Sequence, residues 1–118
     1  MKAMVLAAGF GKRLQPLTRI LPKAMFPVLG RPLLSHTFDL LRSANISEVA
    51  VNIHHLPDSI INYFEKEKPP HLNLHFSREE RILGTAGGIK KMQGFLEDGS
   101  FILVNSDIIT DIALNQVI

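Results

Sequence analysis

The sequence predicts an α/β fold built on a mostly parallel sheet, and three observations carry that expectation. Four short runs rich in Val, Ile, Leu and Phe alternate with stretches of helical apolar spacing, which is the pattern of strand-helix-strand units. Most of the runs are apolar nearly throughout, as parallel strands covered on both faces are. At 118 residues, 46% hydrophobic and 20% charged, the chain has the balance of one ordinary globular domain and excludes a disordered or fibrous one.

Taken in order, the first predicted strand is Ala3 to Ala7. Gly9 to Pro32 follows as a long irregular segment, because Pro16, Pro22, Pro27 and Pro32 forbid one continuous helix. Loops of that length inside a compact domain are usually functional. Leu33 to Ala44 is a helix with Leu34, Phe38, Leu40 and Leu41 on one stripe, and Val49 to Ile53 is the second strand. Asp58 to Lys66 is a helix marked by Ile60, Ile61 and Phe64. Leu72 to Phe76 alternates apolar with polar residues and suits a half-exposed edge strand. Ala86 to Leu96 is a helix with Thr85 as a good N-cap residue, and Phe101 to Val104 is the fourth strand, expected to be covered on both faces. Right-handed crossovers then align the loops after the strands along one edge of the sheet, where a ligand should sit.

Several function classes fall away. There is no cysteine, so no disulfide framework, thiolate metal site or thiol nucleophile exists. A formal net charge of +2 without a basic block argues for neither a nucleic-acid partner nor a membrane surface. The apolar run at the N-terminus breaks at Gly9-Phe10-Gly11-Lys12-Arg13, too soon for a signal peptide or a membrane span, so a cytoplasmic protein is expected. His54 and His55 are not read as metal ligands, since adjacent residues point apart and no third ligand is evident.

The chemistry gathers after the first strand. In Ala7-Ala8-Gly9-Phe10-Gly11-Lys12-Arg13 the glycines let successive N–H groups face an anion, and Arg13 and Lys23 can add charge to it. Neither common glycine motif fits. The dinucleotide fingerprint lacks its third glycine, where Leu14 stands, and the P-loop lacks a hydroxyl residue after Gly11-Lys12. At the far end of the chain, Asp107 follows the fourth strand on the expected ligand edge, and one carboxylate there is enough to begin a Mg²⁺ site completed by phosphate oxygens.

Leu6-Ala7-Ala8-Gly9-Phe10-Gly11-Lys12-Arg13-Leu14-Gln15-Pro16-Leu17-Thr18, with Pro22-Lys23 and Pro27-Val28-Leu29-Gly30-Arg31-Pro32-Leu33, closely resembles the signature of the sugar-phosphate nucleotidyltransferases. Ser77-Arg78-Glu79-Glu80-Arg81-Ile82-Leu83-Gly84-Thr85-Ala86-Gly87 resembles that family's second nucleotide motif. The resemblance implies a Rossmann-like three-layer α/β/α arrangement, the nucleotide-diphospho-sugar transferase fold, and transfer of NMP from an NTP to a sugar-1-phosphate. It implies that Gly9, Gly11, Lys12, Arg13 and Lys23 hold the triphosphate, and that Leu6, Ala8, Glu79 and Gly87 face the base and ribose. It also implies that Asp107 holds the catalytic Mg²⁺ and that Asn105 contacts the sugar phosphate, as in the muramate-type uridylyltransferases. The base, UTP or GTP, stays open.

The resemblance covers only the first half of the family's pattern. Residues 1–118 are therefore expected to form the N-terminal nucleotide-binding part of a truncated nucleotidyltransferase domain, its C-terminal half absent; Asp111 to Ile118 reads as the start of a helix. A second reading is a catalytically incomplete nucleotide-binding or interaction module. The fourth strand would then have an uncovered edge beside Ile108, Ile109 and Ile112, which predicts a homodimer or a domain swap through that edge.

Overall fold

The computed structural model describes residues 1–9 and 11–118, and the side chain of Lys12 lies outside that description. Strand β1 (Lys2–Leu6) is flanked by β4 (Glu48–Ile53) on one side and β6 (Phe101–Asn105) on the other, and β5 (Asn73–Arg78) pairs with β4. The order β5-β4-β1-β6 is parallel throughout, with Val5 opposite Val51 in β4 and opposite Val104 in β6. The four strands start or end within a residue or two of their expected bounds, and β5 is the half-exposed edge the alternation predicts.

The irregular segment between β1 and the first helix is not featureless. It holds three 3₁₀ turns, Lys12–Leu14, Leu17–Arg19 and Lys23–Met25, then a small antiparallel pair, β2 (Pro27–Val28) with β3 (Arg31–Pro32). Short i→i+3 turns suit a chain whose prolines remove the donors a longer helix needs.

Helix α1 (Leu33–Ser43) buries Leu34, Phe38 and Leu41 at helical spacing, while Leu40 is only partly covered and Thr37 takes a buried position instead. It ends in a Schellman arrangement. Asn45 adopts φ +60°, its N–H reaches the Arg42 carbonyl, and the N–H of Ile46 reaches the Leu41 carbonyl at 3.1 Å. Asparagine tolerates that left-handed position, and the buried Ile46 anchors the exit into β4. Helix α2 (Pro57–Lys66) begins with proline in its first turn and buries Ile60 and Phe64 one turn apart.

Both helices lie on the same face of the sheet, packed with Val5, Val49 and Val51 in one core. Helices α3 (Gly84–Lys91) and α4 (Gln93–Leu96) cover the opposite face, where Leu96 meets Met4 and Ala50. The reason is topological: β1 to β4 to β5 steps outward in one direction, and the return from β5 to β6 steps the other way. Right-handed crossovers then put the helices on opposite faces. The three-layer arrangement follows, with its switch point between β1 and β6.

Three expectations are corrected. The helix expected over Ala86 to Leu96 starts at Gly84 and breaks at Met92, whose N–H bonds to Ile89 in a tightened last turn; Gly87, Gly88 and Gly94 weaken helical continuity there. Thr85 does not cap it, because the helix begins at Gly84 and makes Thr85 its second residue, leaving the cap position to Leu83 with no side-chain cap bond. Finally, β6 is not covered on both faces. Ile102 and Val104 pack toward α1 and Phe101 toward α4, but Leu103 stands 42% exposed, since α3 and α4 cover Met4 and Ala50 and not this edge. A last short helix, α5 (Leu114–Val117), follows an exposed stretch containing Ile108, Ile109 and Ile112. Among the described residues no helix is long and apolar enough to cross a membrane.

Candidate functional site

A cleft of about 410 Å³ opens at the C-terminal ends of β1, β4, β5 and β6, the edge that the topology assigns to a ligand. From the glycine loop it receives Leu6, Ala8, Gly9 and Gly11; Lys23 enters from the third 3₁₀ turn. Asn105 and Asp107 enter from the end of β6, and Glu79 from just past β5.

Local structure holds each of these in place. The Leu14 N–H closes onto the Gly11 carbonyl at 2.9 Å, which turns the loop back over the sheet. Gly11 itself takes φ +62°, a conformation that costs an L side chain about 1–2 kcal/mol. Ala24 and Met25 are buried beside Lys23 and anchor its turn, leaving the lysine stem aimed into the cleft. The Ser106 N–H donates to the Leu6 carbonyl at 3.2 Å, so the loop after β6 is tied to the end of β1.

Two residues separated by 84 positions in sequence then meet: Lys23 Nζ donates to Asp107 Oδ2 at 2.9 Å. The hydrogen bond from Lys23 holds the Asp107 carboxyl below its ordinary value, with burial opposing and the ammonium charge assisting. Both side chains remain about two-fifths exposed, so the pair adds little stability. Its consequence is a cation and an anion side by side in the lining of the cleft.

The other expected residues fall differently. Arg13 sits on the exposed side of the loop in the first 3₁₀ turn and does not line the cleft. Gly87 lies within α3, also outside the lining, with Leu83 Cβ 2.7 Å from where its own Cβ would be. The Lys12 side chain falls outside the described residues. Glu79 lines the cleft but is only 4% exposed, with Oε2 accepting from Asn52 Nδ2 at 3.0 Å and Oε1 from the Leu83 N–H. His54 and His55 diverge as expected: His54 Nδ1 donates to the Glu79 carbonyl at 2.6 Å, and His55 Nε2 to the Thr18 carbonyl. Among the described residues no three His, Cys, Asp or Glu side chains converge as a metal cluster.

Asn52, Gly84, Thr85 and Ser106, none of them among the predicted site residues, also line the cleft. Asn52 had a usable signal, since it is the lone polar residue in the run Val49 to Ile53 and a buried amide in a strand must find partners.

The chain is similar to known proteins in both sequence and fold. Over residues 2–118 the sequence matches the nucleotidyl transferase family. It is 35% identical to a UTP–glucose-1-phosphate uridylyltransferase from Synechocystis sp., covering 100% of this chain and 33% of that protein. It is also 35% identical to a mannose-1-phosphate guanyltransferase from Emericella nidulans, covering 99% of this chain and 33% of that one. The fold superposes on HddC from Yersinia pseudotuberculosis complexed with GMP-PN with a TM-score of 0.87 and 27% identity, over 98% of this chain and 52% of that one. The chain thus spans about a third of the length of these curated relatives and about half of the solved structure. Matched over nearly all of its residues, and folded into the same sheet as that solved structure, the chain belongs to the nucleotidyl transferase family.

Proposed function

We propose that this chain carries the triphosphate-binding half of a sugar-1-phosphate nucleotidyltransferase. The observation that supports this most is the convergence of the glycine-loop backbone, Lys23 and Asp107 on one cleft at the sheet's switch point. In the proposed reaction a phosphate oxygen of the sugar-1-phosphate attacks the α-phosphorus of an NTP. The bond from the α-phosphorus to its bridging oxygen breaks, and pyrophosphate leaves with that electron pair. A phosphate monoester has a second pKa of about 6, so the nucleophile is already anionic and no general base is required. The protein's part is positioning and charge stabilisation.

In this reading the Gly9 and Gly11 backbone, Lys12, Arg13 and Lys23 hold the triphosphate, with Arg13 swinging in from the exposed side of the loop. The base and ribose lie against the backbone of Leu6 and Ala8 and the segment from Glu79 to Gly87. Asn105 meets the sugar phosphate. Asp107 fits a Mg²⁺ ion: its carboxylate lines the cleft and stays partly exposed, and one carboxylate with phosphate oxygens and water is a common Mg²⁺ environment. The bound ion would offset the charge that develops on the departing pyrophosphate. A bound triphosphate would draw Lys23 away from Asp107 onto phosphate, leaving the Asp107 carboxylate as the group that would hold the ion. The cytoplasm, where nucleoside triphosphates are abundant, is the proposed setting.

Isothermal titration with GTP, UTP, CTP and dTTP in Mg²⁺ tests the proposal. One triphosphate should bind, and Arg13→Ala should weaken it about tenfold or more, the loss of one charge-assisted contact. Equal binding by the variant, or none by either protein, would overturn it.

The proposal extends to association. β6 is a sheet edge on which Leu103 stands exposed, and such an edge pairs readily with a second copy. Sedimentation should show a concentration-dependent dimer that Leu103→Lys dissociates; a monomer at all concentrations would refute that pairing.

A further inference from the structure

Asn52 forms the centre of a buried hydrogen-bond chain that joins the two segments facing the cleft. Only 3% exposed, it stands at the C-terminal end of β4. Its Oδ1 accepts the Ala7 N–H at 2.8 Å, at the root of the glycine loop. Its Nδ2 donates to Glu79 Oε2 at 3.0 Å, and Glu79 Oε1 accepts the Leu83 N–H at the entry to α3. The backbone of Glu79 is fixed as well, its N–H donating to the Ile53 carbonyl at 2.8 Å and its carbonyl accepting from His54. Beneath the chain lies Gly88, where a Cβ would stand 2.7 Å from Asn52 Nδ2 and 3.1 Å from Glu79 Oε2.

The chain has one permitted polarity. A backbone N–H only donates, so Ala7 and Leu83 each demand an acceptor at their end. Asn52 must then present oxygen to Ala7 and nitrogen to Glu79, and Glu79 must accept at both oxygens. Every polar atom of the two side chains is thus engaged within the frame.

We propose that Asn52 and Glu79 are positioning residues, which lock the root of the glycine loop to the loop before α3 so that the two segments meet the nucleotide as one rigid frame. This rests on the nucleotidyltransferase reading above. It gives the Glu79 side chain an internal task, fixing the backbone around it, and leaves contact with the base to that backbone.

The fixed polarity supplies the test. In Asn52→Asp an acceptor faces the acceptors of Glu79, and in Glu79→Gln a donor faces either Asn52 Nδ2 or the Leu83 N–H. Each single variant leaves a clash. The double variant, Asn52→Asp with Glu79→Gln, reverses the central bond. The introduced carboxylate accepts from both the Ala7 N–H and the introduced amide nitrogen, while the introduced amide oxygen accepts from the Leu83 N–H, so every group is satisfied again. Two readouts are taken on all four proteins: hydrogen exchange of the Ala7 and Leu83 amides, which needs no ligand, and affinity for the triphosphate that the wild type binds. Both single variants should lose amide protection and about tenfold in affinity, and the double should recover both to within about threefold of wild type. Single variants that behave like wild type, or a double variant as impaired as the worse single, would overturn the proposal. If the wild type binds no triphosphate, the functional reading fails by itself and amide exchange still judges the frame.

Discussion

Phe38→Ala is expected to lower the unfolding free energy by about 3–5 kcal/mol, the usual cost of deleting a fully buried aromatic ring. Phe38 is 1% exposed at the centre of α1, and its ring meets the edge of Phe64 from α2 at 5.0 Å between centroids and 75° between planes. The ring therefore joins both helices of this layer to Val5, Val49 and Val51. A domain of this size holds only about 5–15 kcal/mol in all, so the variant should sit near its unfolding threshold. Urea denaturation followed by circular dichroism reads the effect. A loss below about 1 kcal/mol would mean that the layer collapses into the space or was never tightly packed.

Gly11→Ala should cost about 2 kcal/mol or more and abolish triphosphate binding together. Two penalties coincide at this position. The backbone is held at φ +62°, and a new Cβ would come within 2.9 Å of Thr18 Cγ2 and 3.3 Å of Lys23 Cβ. Thr18 is 2% exposed and its carbonyl accepts from His55, so it has little freedom to yield. Relief must come from Lys23 and the loop, which carry the proposed phosphate contacts. Gly9→Ala is the control for stability, since a Cβ there meets nothing within 4 Å. Denaturation and calorimetric titration of both variants separate the effects; equal stability of the two would show that the Gly11 turn relaxes freely.

The local elements were legible in sequence because each obeys a short-range rule. The stripe Leu34, Phe38 and Leu41 gives α1 its buried face, and continuous apolar runs mark β1 and β4. The site was legible in part, through residues whose chemistry depends on backbone near at hand: Gly9, Gly11 and the edge aspartate Asp107. Asn52 was not read, although its polar side chain in an apolar run marked it, because its partners Ala7 and Glu79 lie 45 and 27 positions away.

By itself, then, the sequence determined the order of strands and helices, the parallel character of the sheet and the edge on which a ligand would sit. These follow from periodicity and from chirality, which act over a few residues or on every crossover alike. Tertiary structure alone decided that Lys23 meets Asp107, that Arg13 starts on the exposed side of the loop, and that Glu79 turns inward to Asn52. Those outcomes rest on which buried polar groups find partners across the sheet, a condition that only the assembled strands can satisfy.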